Sequence, residues 1–160
     1  MVGIGTVITV VVMAASLLVL AALYRRFRRQ AVEPLLAALA AAAFVLGLIA
    51  IPGLLHTIAV VSSAVNNHKP YDLRLVFLLT LGLIFIYTGS VNMLLSGRIK
   101  RSERGALVMS ASTTALLVGF LAVLYPAKSE TLLIVVNGTY LGLLLVGLHR
   151  TGRPPSRAAA

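Results

Sequence analysis

The sequence predicts an all-α integral membrane protein with five transmembrane helices, its N-terminus outside and its C-terminus cytoplasmic. A short interfacial amphipathic helix is expected after the second span. Three observations carry this. The chain is 59% hydrophobic and only 11% charged, whereas ordinary soluble domains carry about 25% charged residues. Its apolar residues gather into runs that, at 1.5 Å per helical residue, cross a hydrocarbon core about 30 Å thick. Its basic residues sit in short clusters between those runs, which is the layout of membrane topology rather than of a nucleic-acid-binding face. Lipid offers no partner for exposed backbone N–H and C=O groups, so each run must be a helix, and the alternation of a membrane barrel strand is absent.

The first run covers about 3–23, "GIGTVITVVVMAASLLVLAAL", and is almost uniformly aliphatic. It lacks the basic leader of a secretory signal, and its arginines follow it, so it reads as an uncleaved anchor. The second, about 34–52, opens at Pro34, whose fixed φ and missing N–H suit a first helical turn; its "AALAAAA" leaves a smooth surface for close packing. The third (75–96), fourth (105–125) and fifth (131–148) follow at short intervals. Residues 1–150 thus form a single transmembrane domain, and 151–160, "TGRPPSRAAA", reads as a flexible cytoplasmic tail.

Charge sets the direction. Arg25, Arg26, Arg28 and Arg29 follow the first span, Arg98, Lys100, Arg101 and Arg104 lie between the third and fourth, and Arg150, Arg153 and Arg157 follow the fifth. Five crossings put all eleven on one side and leave Lys69, Arg74 and Lys128 on the other, so the positive-inside rule places the eleven in the cytoplasm. Tyr24, Tyr71 and Tyr125 fall near the interfaces, where amphipathic rings prefer to sit. The expected location is the inner (plasma) membrane of a prokaryote.

The stretch "IPGLLHTIAVVSSAVNNHKPYDLR", residues 51–74, holds two of the three histidines. Pro52 removes a backbone donor and Gly53 loosens the same turn, so a kink or stop is expected there. Beyond it Leu54, Leu55, Ile58, Val61 and Val65 recur at helical spacing, as in a helix lying on the outer surface or a tilted continuation of the span. His56 is the candidate cofactor ligand, for haem or a quinone. Against this, His68 is twelve residues away rather than four, and His149 lies at the opposite membrane face. An interfacial histidine is the expected reading, with annular lipids in place of a bound cofactor, and no metal site is expected.

No Asp, Glu, Lys or Arg falls inside a span. Ion-coupled transport commonly keeps such a group at membrane depth, and catalysis has no paired carboxylates or nucleophile with a base, so no enzyme is expected. Neutral polar and small residues are plentiful instead. Gly138 and Gly142 make a GxxxG in the fifth span beside Asn137 and Tyr140. Ser110 and Thr114 share a small face of the fourth, and Thr88 and Asn92 one face of the third. Such residues let helices approach and hydrogen-bond across their contact. The expectation is a non-catalytic accessory or scaffolding subunit whose partners are other membrane-protein subunits and the bilayer, with no nucleic acid. The alternatives are a small oligomeric transporter or channel with a neutral polar lining, and an electron-transfer subunit centred on His56.

Overall fold

The computed structural model describes residues 4–31, 33–67, 72–124 and 131–151, and these are helical apart from their connections. In chain order the helices are α1 (Ile4–Arg28), α2 (Pro34–Gly47), α3 (Ala50–Asn66), α4 (Leu73–Ile99), α5 (Arg104–Leu124) and α6 (Thr131–Thr151). Among the described residues four stretches are long and apolar enough to cross a membrane: Pro34–Asn66, taking α2 and α3 together, Leu73–Ile99, Arg104–Ala122 and Thr131–Thr151. These define the class: a multi-pass helical membrane protein. Tyr71, Tyr125, His68, Lys69, Lys128, Arg153, Arg157 and the 151–160 tail beyond Thr151 lie outside the described residues.

Helices outrun the apolar spans that predict them. α1 continues through Arg28 and α6 through Arg150 to Thr151, because arginine is a good helix former and a cation in the last turn meets the negative end of the helix dipole. α4 starts earlier than 75, at Leu73, since Asp72 caps it: its Oδ1 accepts from the Leu75 N–H at 2.7 Å. Between α4 and α5 the chain reverses in four residues. Ser102 takes a left-handed φ of 65°, and the Glu103 N–H reaches back to the Arg98 carbonyl at 3.2 Å, closing the helix end as a Schellman turn does.

One expectation about residues 34–66 is corrected and a second is narrowed. The break expected at Pro52 comes one turn earlier, at Leu48–Ile49, and Pro52 lies in the first turn of α3. The proline ring crowds the carbonyl four residues before it, that of Leu48. That carbonyl instead accepts from Ile51 at 3.0 Å, while Leu48 and Ile49 donate to Val45 and Leu46 in the same tightened, three-residue pattern. Of the two courses expected for the helix after Pro52, a surface helix and a continuation of the span, the structure has the continuation. α3 does not leave the bundle; it continues the course of α2, antiparallel to α4, with Gly47 against Gly89, Gly53 against Gly82 and His56 against Leu78. Its polar and small side faces α4, whereas Leu54, Leu55, Ile58, Val61 and Val65 point outward and are exposed. A helix with its apolar stripe turned out and its polar stripe turned in suits a lipid surround, not a water surface.

The core has two parts. One joins Leu36, Leu39, Ala40 and Ala43 of α2 to Ile99 of α4, Leu107 of α5 and Tyr140 and Leu144 of α6, with Phe27 of α1 packed beside it. The other, Leu81, Leu117 and Leu121 with Phe85 and Phe120, lies toward the opposite end. Phe77 and Phe120 stack there, with ring centroids 5.3 Å apart. At the first end the C-termini of α1, α4 and α6 meet the N-termini of α2 and α5, which gathers the described basic clusters. Lys100 ties this end together: its Nζ donates to Gln30 Oε1 at 2.6 Å and lies 5.1 Å from the centre of the Phe27 ring.

Candidate functional site

Polar side chains in the bundle interior collect at the meeting of α4, α5 and α6. Thr88 and Asn92 lie one helical turn apart on α4, and both are buried against α5. Thr88 Oγ1 donates to the Thr113 carbonyl at 3.3 Å, and Asn92 Nδ2 donates to Thr114 Oγ1 at 3.3 Å. Ser110 Oγ donates to Asn92 Oδ1 and lies 3.0 Å from Tyr140 Oη. A serine hydroxyl has one proton, and here it goes to the amide, so the tyrosine O–H is the donor in the second bond. The result is a relay of direction from α6 through α5 to α4. Asn137 does not join it; its Nδ2 bonds the Leu133 carbonyl of its own helix at 2.9 Å.

Every one of these groups is satisfied inside the chain. Among the described residues no buried side-chain nitrogen or oxygen lacks a partner, as a low-dielectric interior demands. Such a network holds helices together; it does not present a row of open donors and acceptors to a passing solute.

His56 sits apart from that network, half-buried between α3 and α4, with Nε2 3.1 Å from the Leu78 carbonyl oxygen. Beside it Thr57 Oγ1 donates to the Gly53 carbonyl at 2.9 Å and presses on Gly82. The histidine is turned into the helix pair and not out to water. No group of three or more metal-binding side chains occurs among the described residues.

The glycines divide sharply. A Cβ placed on Gly89 would stand 2.6 Å from the Ala50 nitrogen and 2.7 Å from the Gly47 carbonyl oxygen. One on Gly47 would meet Met93 Cβ at 2.7 Å, and one on Gly53 would meet Phe85 Cβ at 2.7 Å. These glycines, together with Gly82, let two backbones touch along the whole α2–α3/α4 seam. Gly138 and Gly142 of α6 and Gly119 of α5 have nothing within 4 Å of such a Cβ. Gly142 is exposed between Thr139, Leu145 and Val146, which are exposed too.

Sequence reasoning named the open glycines and missed the closed ones. Their signal was present: Gly82 and Gly89 are seven residues apart, two turns, and Gly47, Ala50 and Gly53 recur every three. Neither spacing is a GxxxG, and complementarity between two distant segments is not visible in either alone.

No family model, curated protein or solved structure matches the chain. What the protein does is therefore read from these surfaces.

Proposed function

We propose that the chain is a non-catalytic accessory or scaffolding subunit of a larger assembly in a prokaryotic inner membrane. It crosses the bilayer five times, α1 being the fifth span, with the N-terminus outside and the basic end in the cytoplasm. One contrast supports this reading best. The described polar side chains of the interior are bonded within the chain, whereas the small-residue face of α6 around Gly138 and Gly142 is open outward. An exposed glycine face in lipid costs nothing by itself, but it lets another helix approach closely enough for dispersion and Cα–H contacts. The channel alternative needs Tyr87, Asn92, Asn137 and Tyr140 to line a path. Asn92 and Tyr140 are instead bonded within the bundle, and Asn137 bonds its own backbone.

The length of the α2–α3 unit fits the five-span arrangement. Its 33 residues extend about 50 Å, so the distal turns of α3 and the start of α4 stand past a 30 Å core into the headgroup region. His56 then lies near the outer boundary.

Gentle extraction tests the subunit reading. In a mild detergent the chain should co-purify at fixed stoichiometry with other membrane subunits, and Gly142→Leu should release it from them. A wild-type chain that leaves the membrane as a lone monomer defeats the proposal. Accessibility labelling of the two chain ends tests the topology; finding both on one side rules out five spans.

A further inference from the structure

A second surface feature lies between α1 and α6. α1 packs on α2, and α2 packs on α6, leaving a crevice of about 250 Å³ with α2 as its floor. Its walls are Leu17 and Leu20 of α1 and Val136 and Leu143 of α6; Ala42 and Leu46 are on the floor. No charged side chain lines it. An open apolar crevice at a lipid-facing surface accepts a hydrocarbon chain, and the sequence of each wall says what stands at the end of that chain.

On α1, Leu17, Leu20, Tyr24 and Arg28 follow at spacings of three, four and four, one continuous stripe. On α6, Val136, Leu143 and Arg150 follow at intervals of seven, again one stripe. Both walls therefore run from the crevice to an arginine at the same end of the bundle. Phe27 and Leu148, close neighbours of those arginines in sequence, pack on one core cluster. Each arginine lies about 10–12 Å along its helix from the nearest wall residue, Leu20 or Leu143. Arg28 and Arg150 are exposed. The ion pair described at this end joins Arg98 to Glu103 and involves neither of them. The carboxylates described at this end are Glu33, which heads α2, and Glu103; the cations there also include Arg25, Arg26, Arg29, Lys100, Arg101 and Arg104.

We propose that this crevice is a binding site for an anionic phospholipid of the cytoplasmic leaflet, one acyl chain in it and the phosphate held by Arg28 and Arg150. Basic residues flanking a gap between helices on the cytoplasmic side are the recurrent device for gripping such headgroups, and arginine presents its donors as a fork matched to phosphate oxygens. The site is independent of the subunit reading. It rests only on the proposed orientation, with the chain embedded in lipid and its basic end in the cytoplasm.

The test uses the full chain, delipidated in a non-ionic detergent and titrated with dioleoyl phosphatidylglycerol or dioleoyl phosphatidylcholine. Retained lipid is read by native mass spectrometry and the unfolding midpoint by thermal scan. Phosphatidylglycerol should be retained one to one and raise the midpoint, with phosphatidylcholine binding more weakly. Arg28→Gln with Arg150→Gln should weaken phosphatidylglycerol roughly ten- to thirtyfold, the effect of removing two headgroup cations. Arg26→Gln with Arg104→Gln removes the same charge from outside the two stripes and should change it less than about threefold. Ala42→Leu, which raises the floor, should weaken both lipids. Equal losses in the two arginine pairs would mean general attraction to a basic surface and overturn the site. So would an unchanged Ala42→Leu variant, or a dimer sealed through this crevice that phosphatidylglycerol does not dissociate.

Discussion

Gly89 and Gly142 each belong to a helix-spaced glycine pair, yet their surroundings are opposite. Gly89 is pressed against the backbone at Gly47 and Ala50; Gly142 looks onto empty space. What separates them is the opposing segment. α2 and α3 offer Gly47, Ala50 and Gly53 in a register that matches Gly82 and Gly89 when the helices run antiparallel, so both sides of the seam are small at the same depth. Opposite Gly138 and Gly142 no described atom of this chain comes within 4 Å of where a Cβ would stand. A glycine pair marks a face that permits close approach, and only a matching face elsewhere determines whether that approach happens within the chain. The same contrast underlies the proposed function: the closed seam builds the fold, and the open face is left for a partner.

The largest effect is expected at the closed seam. Gly89→Leu forces a side chain into the backbone of Gly47 and Ala50, where no rotamer can move the obstacle aside. Overpacking of this kind costs about 1–3 kcal/mol even where side chains can yield, so a loss of about 3 kcal/mol or more is expected, with α2–α3 splaying from α4. Denaturant titration in mixed micelles measures it. A stability within about 0.5 kcal/mol of wild type, the range of a neutral surface change, would mean that the seam is not packed as described.

Next comes the polar junction of α4, α5 and α6. Ser110→Ala removes the group that both accepts from Tyr140 and donates to Asn92, leaving two buried polar atoms short of a partner. Interhelical hydrogen bonds in membranes average about 0.6 kcal/mol and reach about 1.7, so a loss of about 1–2 kcal/mol is expected in the same titration. Tyr140→Phe removes only the donor and should cost less, because Ser110 keeps its bond to Asn92. If the two variants lose equal stability, Ser110 does not join three helices.

His56→Phe ranks third. It deletes one bond to the Leu78 carbonyl across α3 and α4 but keeps a ring of similar bulk, and about 0.6 kcal/mol is expected from the same average. The seam beside it should hold. A fall as large as that of Gly89→Leu would show the histidine, and not glycine contact, to be what keeps α3 on α4.

The same physical differences decide which parts of the fold could be read from the sequence. Helices and their approximate ends were legible because composition and run length report the solvent directly, and Pro34 marks a start by local chemistry; the cap at Asp72, which starts α4 two residues before 75, was not read. Thr88, Asn92, Ser110, Thr114 and Tyr140 were recognisable as helix-packing residues, because polar side chains in apolar runs must find partners; Asn137, read with them, bonds its own helix instead. The course of α3 was not legible. Its outward apolar stripe has the same periodicity as that of a helix lying on a membrane surface, and only contact with α4 tells the two apart. Pro52 marked the break one turn too late, because a proline disturbs the carbonyl four positions before it. That His56 turns inward toward α4 was equally hidden, since direction around a helix depends on the neighbour it meets.

The smallest effect on stability is expected at the open face, and there it is the most informative. A Cβ at Gly142 meets no described atom within 4 Å, and leucine is the better helix former by about 0.6–0.8 kcal/mol outside lipid. The isolated protein should therefore unfold at the wild-type denaturant concentration or slightly above it. The same change fills the approach that a second helix would need, so recovery of co-purifying subunits should fall sharply while this chain remains in the membrane at its usual level. Ala115→Leu on α5, also exposed, adds bulk on a different helix and should leave recovery alone. Stability and assembly thus separate at Gly142, whereas Gly89→Leu should lower both. If Gly142→Leu instead destabilises the lone chain, the α6 face is already occupied within the fold, and the distinction between a seam that builds the protein and a face that recruits its partner fails.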